Sequence, residues 1–236
     1  QPPSHRPHAQ PRIVVRVVVG MTFDDGQDRR RRGNVVVGAK RARLPIVARL
    51  IFCGGRRRGH LVDRVDLGRD GPVRASTGVE FFDHMLDQVG RHGGFALDVT
   101  AEGDVEVDAH HTIEDVCLAL GEALRQALGE KRGIARFGFE LPMDETRAGV
   151  WIDLSGRPYA KFEGEIPGER VAGFPVEMTP HAFRSLAEAM KASIHVRVEG
   201  ENAHHMIEAC FKAFGRALRQ ALRVEGDAIP STKGAL

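Results

Sequence analysis

Two stretches of this chain, HHTIEDVCLALGEALRQAL at residues 110–128 and HHMIEACFKAFGRALRQAL at residues 204–222, are copies of one pattern. Aligned at a constant offset of 94 residues, they are identical at 12 of 19 positions, including the HHxIE opening. In each copy the apolar residues recur every three or four positions, which is typical of an amphipathic helix with one buried face. A repeat of this kind predicts a body of two similar halves packed together.

The segments around these helices predict further elements. Residues 80–91 have helical spacing, residues 95–100 alternate as a half-buried strand, and residues 150–162 are typical of a hairpin. A third helix is expected from residue 179 to about 190, because Thr and Pro make a favourable start. Residues 194–198 alternate as the strand before the second copy.

This order of elements predicts an α+β fold of internally duplicated sheet-and-helix halves, with the helices packed on one face of the sheet. We expect the halves at about residues 76–165 and 166–236. Residues 1–75 are expected to be an atypical basic segment that is partly disordered or of foreign origin.

The composition excludes several classes of protein. Hydrophobic residues make up 42% of the chain and charged residues 28%, which fits a globular protein rather than a disordered or fibrous one. No apolar run approaches 18 residues, so we expect no transmembrane helix. The three cysteines, Cys53, Cys117 and Cys210, are few and odd in number, which favours a reducing, cytoplasmic compartment over a disulfide scaffold.

Charge is distributed unevenly along the chain. Residues 1–79 contain 17 Lys and Arg against 6 Asp and no Glu, a net charge of +11. The rest contains 17 Lys and Arg against 26 Asp and Glu, a net charge of −9. A basic segment can bind nucleic acid or direct a protein to a cellular compartment. A different origin of the two parts of the chain explains the uneven charge as well. We do not expect nucleic acid to be the partner.

The two HHxxE motifs form a candidate metal centre. On a helix, a His and a Glu three or four residues apart share a face, whereas adjacent histidines diverge by about 100°. Each motif should therefore supply one His–Glu pair to one ion, and its other His should reach a second metal across a fold or subunit boundary. The alternative, two pairs of surface histidines, is weakened because the same Glu recurs in register.

Two further histidines stand in suitable settings, His84 in FFDHML and His195 in IHVRV. With the motifs they divide into two sites of three His and one carboxylate, a ligand set that suits Mn, Fe or Zn. Four protein ligands leave positions of an octahedral ion free for substrate, which favours a catalytic metal. The candidate ligands are His84, His110, His111, Glu114, His195, His204, His205 and Glu208.

A second cluster of residues is suited to binding phosphate-like anions. It comprises Arg136, Arg157 in an SGRP turn, Lys212, and the segment Ser231, Thr232, Lys233 and Gly234. Taken singly, each is better explained as a solvated charge than as a ligand-binding residue. Lys212 has the most weight, because it lies eight residues past His204 on roughly the metal-bearing face.

These residues lie in segments that together match a known family. The segments are STGVEFFDHMLDQVGRHGGF, GDVEVDAHHTIEDVCLALGEAL, GEKRGIARFG, PMDE, DLSGRP, HVRVEGENAHHMIEACFKAFGRALRQAL and PSTKGAL, which run from about residue 76 to residue 236. They closely resemble imidazoleglycerol-phosphate dehydratase of histidine biosynthesis. The resemblance implies a ribosomal protein S5 domain 2-like fold and a homo-oligomeric, 24-subunit cage built from trimers. It also implies two Mn²⁺ ions per active site, at interfaces between subunits.

The resemblance also implies roles for individual residues. It carries the metal ligands onto the eight candidates above and the substrate contacts onto His92, Arg136, Arg157, Lys212, Ser231, Thr232 and Lys233. The family dehydrates D-erythro-imidazole-glycerol phosphate to imidazole-acetol phosphate, a carbon–oxygen lyase reaction in which two metals hold the substrate ring as imidazolate. The candidates for catalysis are Glu114, Glu208, His111 and His205.

The chain departs from the family before residue 76. The family has a strand there with an Arg-x-Thr-x-Glu-Thr-like element whose Glu contacts the substrate, whereas residues 1–75 contain no Glu. We hypothesise that much of this segment is foreign sequence joined to an intact body, which would bind metal and assemble but turn over slowly or not at all. The alternative is a native extension, with Glu114 or Glu208 serving as the base while bound to metal.

Overall fold

The computed structural model describes residues 14–17, 63–66 and 71–234 of the chain. Its elements are β1 (Val14–Val17), β2 (Asp63–Asp66), β3 (Val73–Ser76), α1 (Glu80–Gly93), β4 (Ala96–Thr100), α2 (His110–Leu128), β5 (Glu140–Met143), β6 (Thr146–Asp153), β7 (Tyr159–Glu163), β8 (Arg170–Val171), β9 (Phe174–Pro175), α3 (Met178–Met190), β10 (Ser193–Glu199) and α4 (Ala203–Ala221). No helix in these ranges is long and apolar enough to cross a membrane.

Two four-stranded sheets repeat one topology. Their strand orders are β1-β2-β4-β3 and β5-β6-β10-β7, and a small β8-β9 pair stands apart. In both sheets the last pair is parallel, β3 with β4 and β7 with β10, because a helix crosses over between the two strands. The other pairs are antiparallel. The predicted duplicated α+β fold is confirmed.

The sheets divide the chain between α2 and β5, earlier than the division near residue 165 that we expected from the sequence. The predicted hairpin of residues 150–162 corresponds to parts of β6 and β7, which belong to the second sheet, on either side of β10. Within residues 1–75, β1 and β2 complete the first sheet. The expectations of disorder and foreign origin for the rest of that segment lie outside the described residues.

The helices lie between the two sheets. Helices α1 and α2 contact the first sheet, α3 and α4 contact the second, and the helices pack across as the pairs α1 with α4 and α2 with α3. Strand β10 shows the resulting alternation, since Ile194, Val196 and Val198 are buried and the side chains between them are exposed. As predicted, the helices cover one face of each sheet.

Each helix pair crosses at a glycine, and the two glycines are 94 residues apart. A Cβ on Gly121 of α2 would lie 2.7 Å from the Cβ of Ala189 and 3.0 Å from the carbonyl oxygen of Leu186. A Cβ on Gly215 of α4 would lie 2.7 Å from the carbonyl oxygen of Val89. Both close approaches of the backbones therefore require a residue without a side chain.

Candidate metal centre

Two groups of potential metal ligands lie at equivalent helix crossings, each between a helix of the first unit and a helix of the second. We call them group A, which is His84, His204 and Glu208, and group B, which is His110, Glu114 and His181. Within each group the ligand atoms lie within 4.8 Å of one another. Two imidazoles and one carboxylate at this spacing can converge on one divalent ion.

Helix α4 supplies two members of group A. Its first turn is held by Asn202, whose Oδ1 accepts hydrogen bonds from the backbone N–H groups of His204 at 2.9 Å and His205 at 3.3 Å. One turn later, the carboxylate of Glu208 lies 3.3 Å from Nε2 of His204. The packing of α1 on α4 brings Nε2 of His84 to 3.4 Å from the same carboxylate.

Helices α2 and α3 build group B in the same way. His110 and Glu114 are separated by one turn of α2, with Nε2 of His110 3.9 Å from the Glu114 carboxylate. Helix α3 adds His181, whose Nε2 is 3.3 Å from that carboxylate. The crossing of α2 and α3 thus brings the ligands of group B together, as the crossing of α1 and α4 does for group A.

His181 is a candidate ligand that the sequence analysis missed. The sequence does contain a signal for this ligand, since the histidines end two similar six-residue segments. His84 ends VEFFDH at residues 79–84, and His181 ends VEMTPH at residues 176–181, which is 97 residues later. The offset differs from the 94 residues of the HHxxE repeat, so an alignment with a constant offset does not bring these two histidines together.

The structure does not bring His195 to either group. Its neighbours Ile194 and Val196 on β10 point to the helices, so His195 lies on the opposite face of the sheet. Its ring lies 5.5 Å from that of Tyr159, centroid to centroid. Within this chain, His181 takes the place that we had expected for His195.

The carboxylates of the two groups have different surroundings. Lys212, one turn past Glu208 on α4, places its Nζ 2.9 Å from the Glu208 carboxylate. Burial alone would raise the pKa of Glu208, but the hydrogen bond and charge of Lys212, with His84 and His204, lower this pKa below its usual value. The position equivalent to Lys212 in α2 is Leu118.

One histidine of each HH pair lies outside its group. Nδ1 of His205 is 2.8 Å from Oε2 of Glu145, in the turn between β5 and β6. This hydrogen bond raises the pKa of His205 and lowers the pKa of Glu145 to about 2. In the first unit, Asp115 lies one turn past His111, and burial followed by the charge of Glu114 raises the pKa of Asp115.

The residues of both groups fit a divalent metal ion. Nε2 of His181 is buried and lies 3.3 Å from the Glu114 carboxylate, but within the described ranges it makes no hydrogen bond, so its lone pair is available to a metal at group B. Each group has three ligands and no thiolate, which suits an ion that keeps further positions open.

Two of the expected substrate contacts lie beside group A. Lys212 bonds Glu208 directly, and His92 at the end of α1 faces α4. Burial, and then the positive charges of Lys212 and Arg216, lower the pKa of His92. Lys212, Arg216 and His92 thus lie close enough to interact beside group A, and the two cations favour the neutral form of His92.

The other expected substrate contacts lie at the far end of α4. Arg136 makes two hydrogen bonds to the carboxylate of Asp153 and donates to the carbonyl of Pro230 at 2.8 Å, so it holds the C-terminal segment. Its backbone N–H bonds the carbonyl of Ala221, which is about 25 Å along α4 from His204. The residues gathered around this end are Arg136, Arg157, Ser231, Thr232 and Lys233. One chain does not place them with group A.

Known proteins share the sequence of this chain over most of its length. The family model for imidazoleglycerol-phosphate dehydratase matches residues 77–218. A histidine biosynthesis bifunctional protein from Stenotrophomonas maltophilia strain R551-3 is 60% identical over 172 residues, which cover 73% of this chain and 48% of that protein. A protein of the same name from Xanthomonas axonopodis pv. citri strain 306 is 54% identical over 190 residues, covering 73% and 51%. The chain spans about half the length of these curated relatives.

Two solved structures share the fold. Imidazoleglycerol-phosphate dehydratase from Staphylococcus aureus subsp. aureus N315 superposes with a TM-score of 0.65 at 36% identity, over 70% of this chain and 95% of that chain. The enzyme from Pyrococcus furiosus, solved in complex with (S)-C348, gives 0.66 at 34% identity, over 77% and 98%. The matched sequence and the shared fold show that this chain belongs to the imidazoleglycerol-phosphate dehydratase family.

Proposed function

We propose that this chain dehydrates D-erythro-imidazole-glycerol phosphate to imidazole-acetol phosphate in histidine biosynthesis, with Mn²⁺ as the metal and in the cytoplasm. The observation that carries the proposal is the pair of equivalent three-ligand groups in a member of this family. The names of the relatives, which place them in histidine biosynthesis, support the pathway.

Groups A and B would each hold one ion. A divalent ion would supply Lewis acidity toward the substrate's imidazole ring, which has no carbonyl to activate the proton that must leave. Around it, Lys212 and His92 bind and orient the anionic substrate at group A. The carboxylates of Glu114 and Glu208 are the candidates for moving the proton, since each lies within its ligand group.

The complete site requires more than one copy of the chain. His111 and His205 lie outside groups A and B, so we propose that each supplies the fourth ligand to an ion held by another copy. The separation of about 25 Å between group A and the end of α4 supports the same idea for Arg136, Arg157, Ser231, Thr232 and Lys233. Their phosphate contacts would then also come from a neighbouring subunit. Self-association into trimers and a 24-subunit cage is the assembly that the family resemblance implies.

A second candidate is a metal-assembled oligomer with impaired or no catalysis. It is favoured by the absence of Glu from residues 1–75, where the family has a Glu that contacts the substrate. Both candidates require metal and assembly, and they differ only in turnover.

The test is a turnover assay of the purified chain with imidazole-glycerol phosphate and Mn²⁺, before and after chelation, together with metal content and native mass. Turnover that chelation abolishes and Mn²⁺ restores is the expected result for the dehydratase. A metal-loaded oligomer without turnover would support the second candidate. A monomer that binds no metal would contradict both.

A further inference from the structure

The side chain of Glu145, in the turn between β5 and β6, contacts the metal-bearing end of α4. One carboxylate oxygen, Oε2, lies 2.8 Å from Nδ1 of His205. The other, Oε1, accepts a hydrogen bond from the backbone N–H of Asn202 at 3.1 Å and from the hydroxyl of Thr146 at 3.0 Å. Both oxygens of Glu145 are therefore engaged, and they join the turn to the start of α4.

This contact determines which ring nitrogen of His205 has the proton. A carboxylate only accepts hydrogen bonds, so Nδ1 of His205 must be the donor. In the neutral imidazole the second nitrogen, Nε2, is then an acceptor and can ligate a metal. Carboxylates that bond the distal nitrogen of a ligating histidine orient the ring in this way in many metal sites.

His205 is not a member of group A. It lies 6.1 Å from the ring of His204, centroid to centroid, and the two planes are nearly perpendicular at 84°. Within the described ranges, the hydrogen bond and ion pair of the His205 side chain both involve Nδ1 and Glu145. Its Nε2 therefore belongs to no contact of groups A or B.

We propose that Glu145 is the positioning residue for His205: it fixes the Nδ1–H tautomer and aims Nε2 at a divalent ion held by a second copy of this chain. The proposal rests on the proposed function, because it uses a metal site shared between two copies of the chain. It gives Glu145 a role in that site. In this proposal Glu145 is not itself a metal ligand, and its effect on the ion passes through the ring of His205.

A neighbouring carboxylate provides a matched control. Glu199 lines the same surface cavity as Glu145, at the end of β10, and is similarly exposed. Its carboxylate pairs with Arg147 at 2.7 Å and with Arg197 at 2.8 Å, and not with His205. Replacing Glu199 removes one negative charge from the cavity without removing the bond to the histidine.

The experiment compares the wild-type chain with Glu145→Ala, Glu145→Gln and Glu199→Gln. The tautomer of His205 is measured by ¹⁵N-histidine NMR of the metal-free chain, and Mn²⁺ affinity by titration. We expect Nδ1–H in the wild type and a mixture of tautomers in Glu145→Ala, with affinity at one of the two sites lowered about 10- to 100-fold. Glu145→Gln, whose amide oxygen still accepts from Nδ1–H, should keep the tautomer and lose several-fold in affinity. Glu199→Gln should match the wild type.

The proposal is overturned if wild-type His205 has its proton on Nε2, or if Glu145→Ala binds Mn²⁺ as the wild type does. Should Glu145→Ala fail to fold, Glu145→Gln decides: affinity equal to that of Glu199→Gln overturns the proposal, and weaker affinity supports it. A wild-type chain that binds no Mn²⁺ contradicts the proposed function instead, and the tautomer spectra of the metal-free chain still test the role of Glu145. An equal loss of affinity in all three variants would indicate a general charge effect and would also overturn the proposal.

Discussion

The two repeat units of this chain place the same kinds of ligand at the start of the same helix but surround them differently. In the second unit, the Glu208 side chain is only 9% exposed and bonds Lys212. In the first unit, the Glu114 side chain is 35% exposed, and Leu118 stands where the lysine would be. The backbone thus repeats the geometry of the candidate ligands, while the residue one turn past the carboxylate differs between the groups, Lys212 in one and Leu118 in the other.

The comparison extends to the histidine outside each group. His205 is held by Glu145 in the β5–β6 turn, which joins the two strands directly. In the first unit the charged neighbour of His111 is Asp115, on the same helix. Among the described residues, the two histidines therefore have carboxylate neighbours on different elements, the β5–β6 turn for His205 and α2 for His111.

The largest expected effect comes from breaking one group and leaving the other. His181→Ala should remove the ion that we propose for group B, so the metal content per chain should fall by one ion, and turnover should fall at least about 100-fold. The measurement is metal content per chain by elemental analysis, with steady-state kinetics beside it. The matched control is His195→Ala, which removes a histidine from the outer face of the sheet. Loss of metal in the control, and not in His181→Ala, would show that the sequence expectation for His195 was right.

A smaller effect is expected where the helices cross. Gly121→Ala and Gly215→Ala each force a Cβ to within 2.7 Å of an atom on the opposite helix, so each should cost about 1–3 kcal/mol of unfolding free energy. Chemical denaturation of the metal-free chain measures this. Similar losses are expected if the two crossings are equivalent. Gly226→Ala is the control, because its Cβ would meet nothing within 4 Å. A loss confined to one crossing would show that only one helix pair is tightly packed.

The smallest effect concerns the lysine that distinguishes the units. Lys212→Leu installs the residue of the first unit in the second, and we expect KM for the substrate to rise about tenfold, which corresponds to about 1.4 kcal/mol. Because the charge of Lys212 helps to lower the pKa of His92, that pKa should rise in the variant, so His92 takes up its proton at higher pH. An NMR titration of the histidines follows the shift. Lys191→Leu, which removes an exposed lysine paired with Glu188, should change neither quantity.

Much of the fold could be predicted from local pattern. The helical spacing in residues 80–91 and 110–128, the alternation in 194–198 and the HHxxE repeat each report on residues close in sequence. The position of the boundary between the halves was harder to predict from the sequence, because β6 and β7 pair with the distant β10 rather than with the nearer β4. Strand pairing over such distances leaves no periodic signal in the strands themselves.

By itself, the sequence determined that the chain is duplicated, which helices have the HHxxE ligands, and to which family it belongs. Only the tertiary structure decided that His181 and not His195 joins His110 and Glu114, since the pleat of β10 turns His195 to the outer face. The tertiary structure also showed that Arg136 and group A lie at opposite ends of α4. The physical reason is that a helix or strand repeats its own period locally, whereas a metal site is made where elements distant in sequence cross.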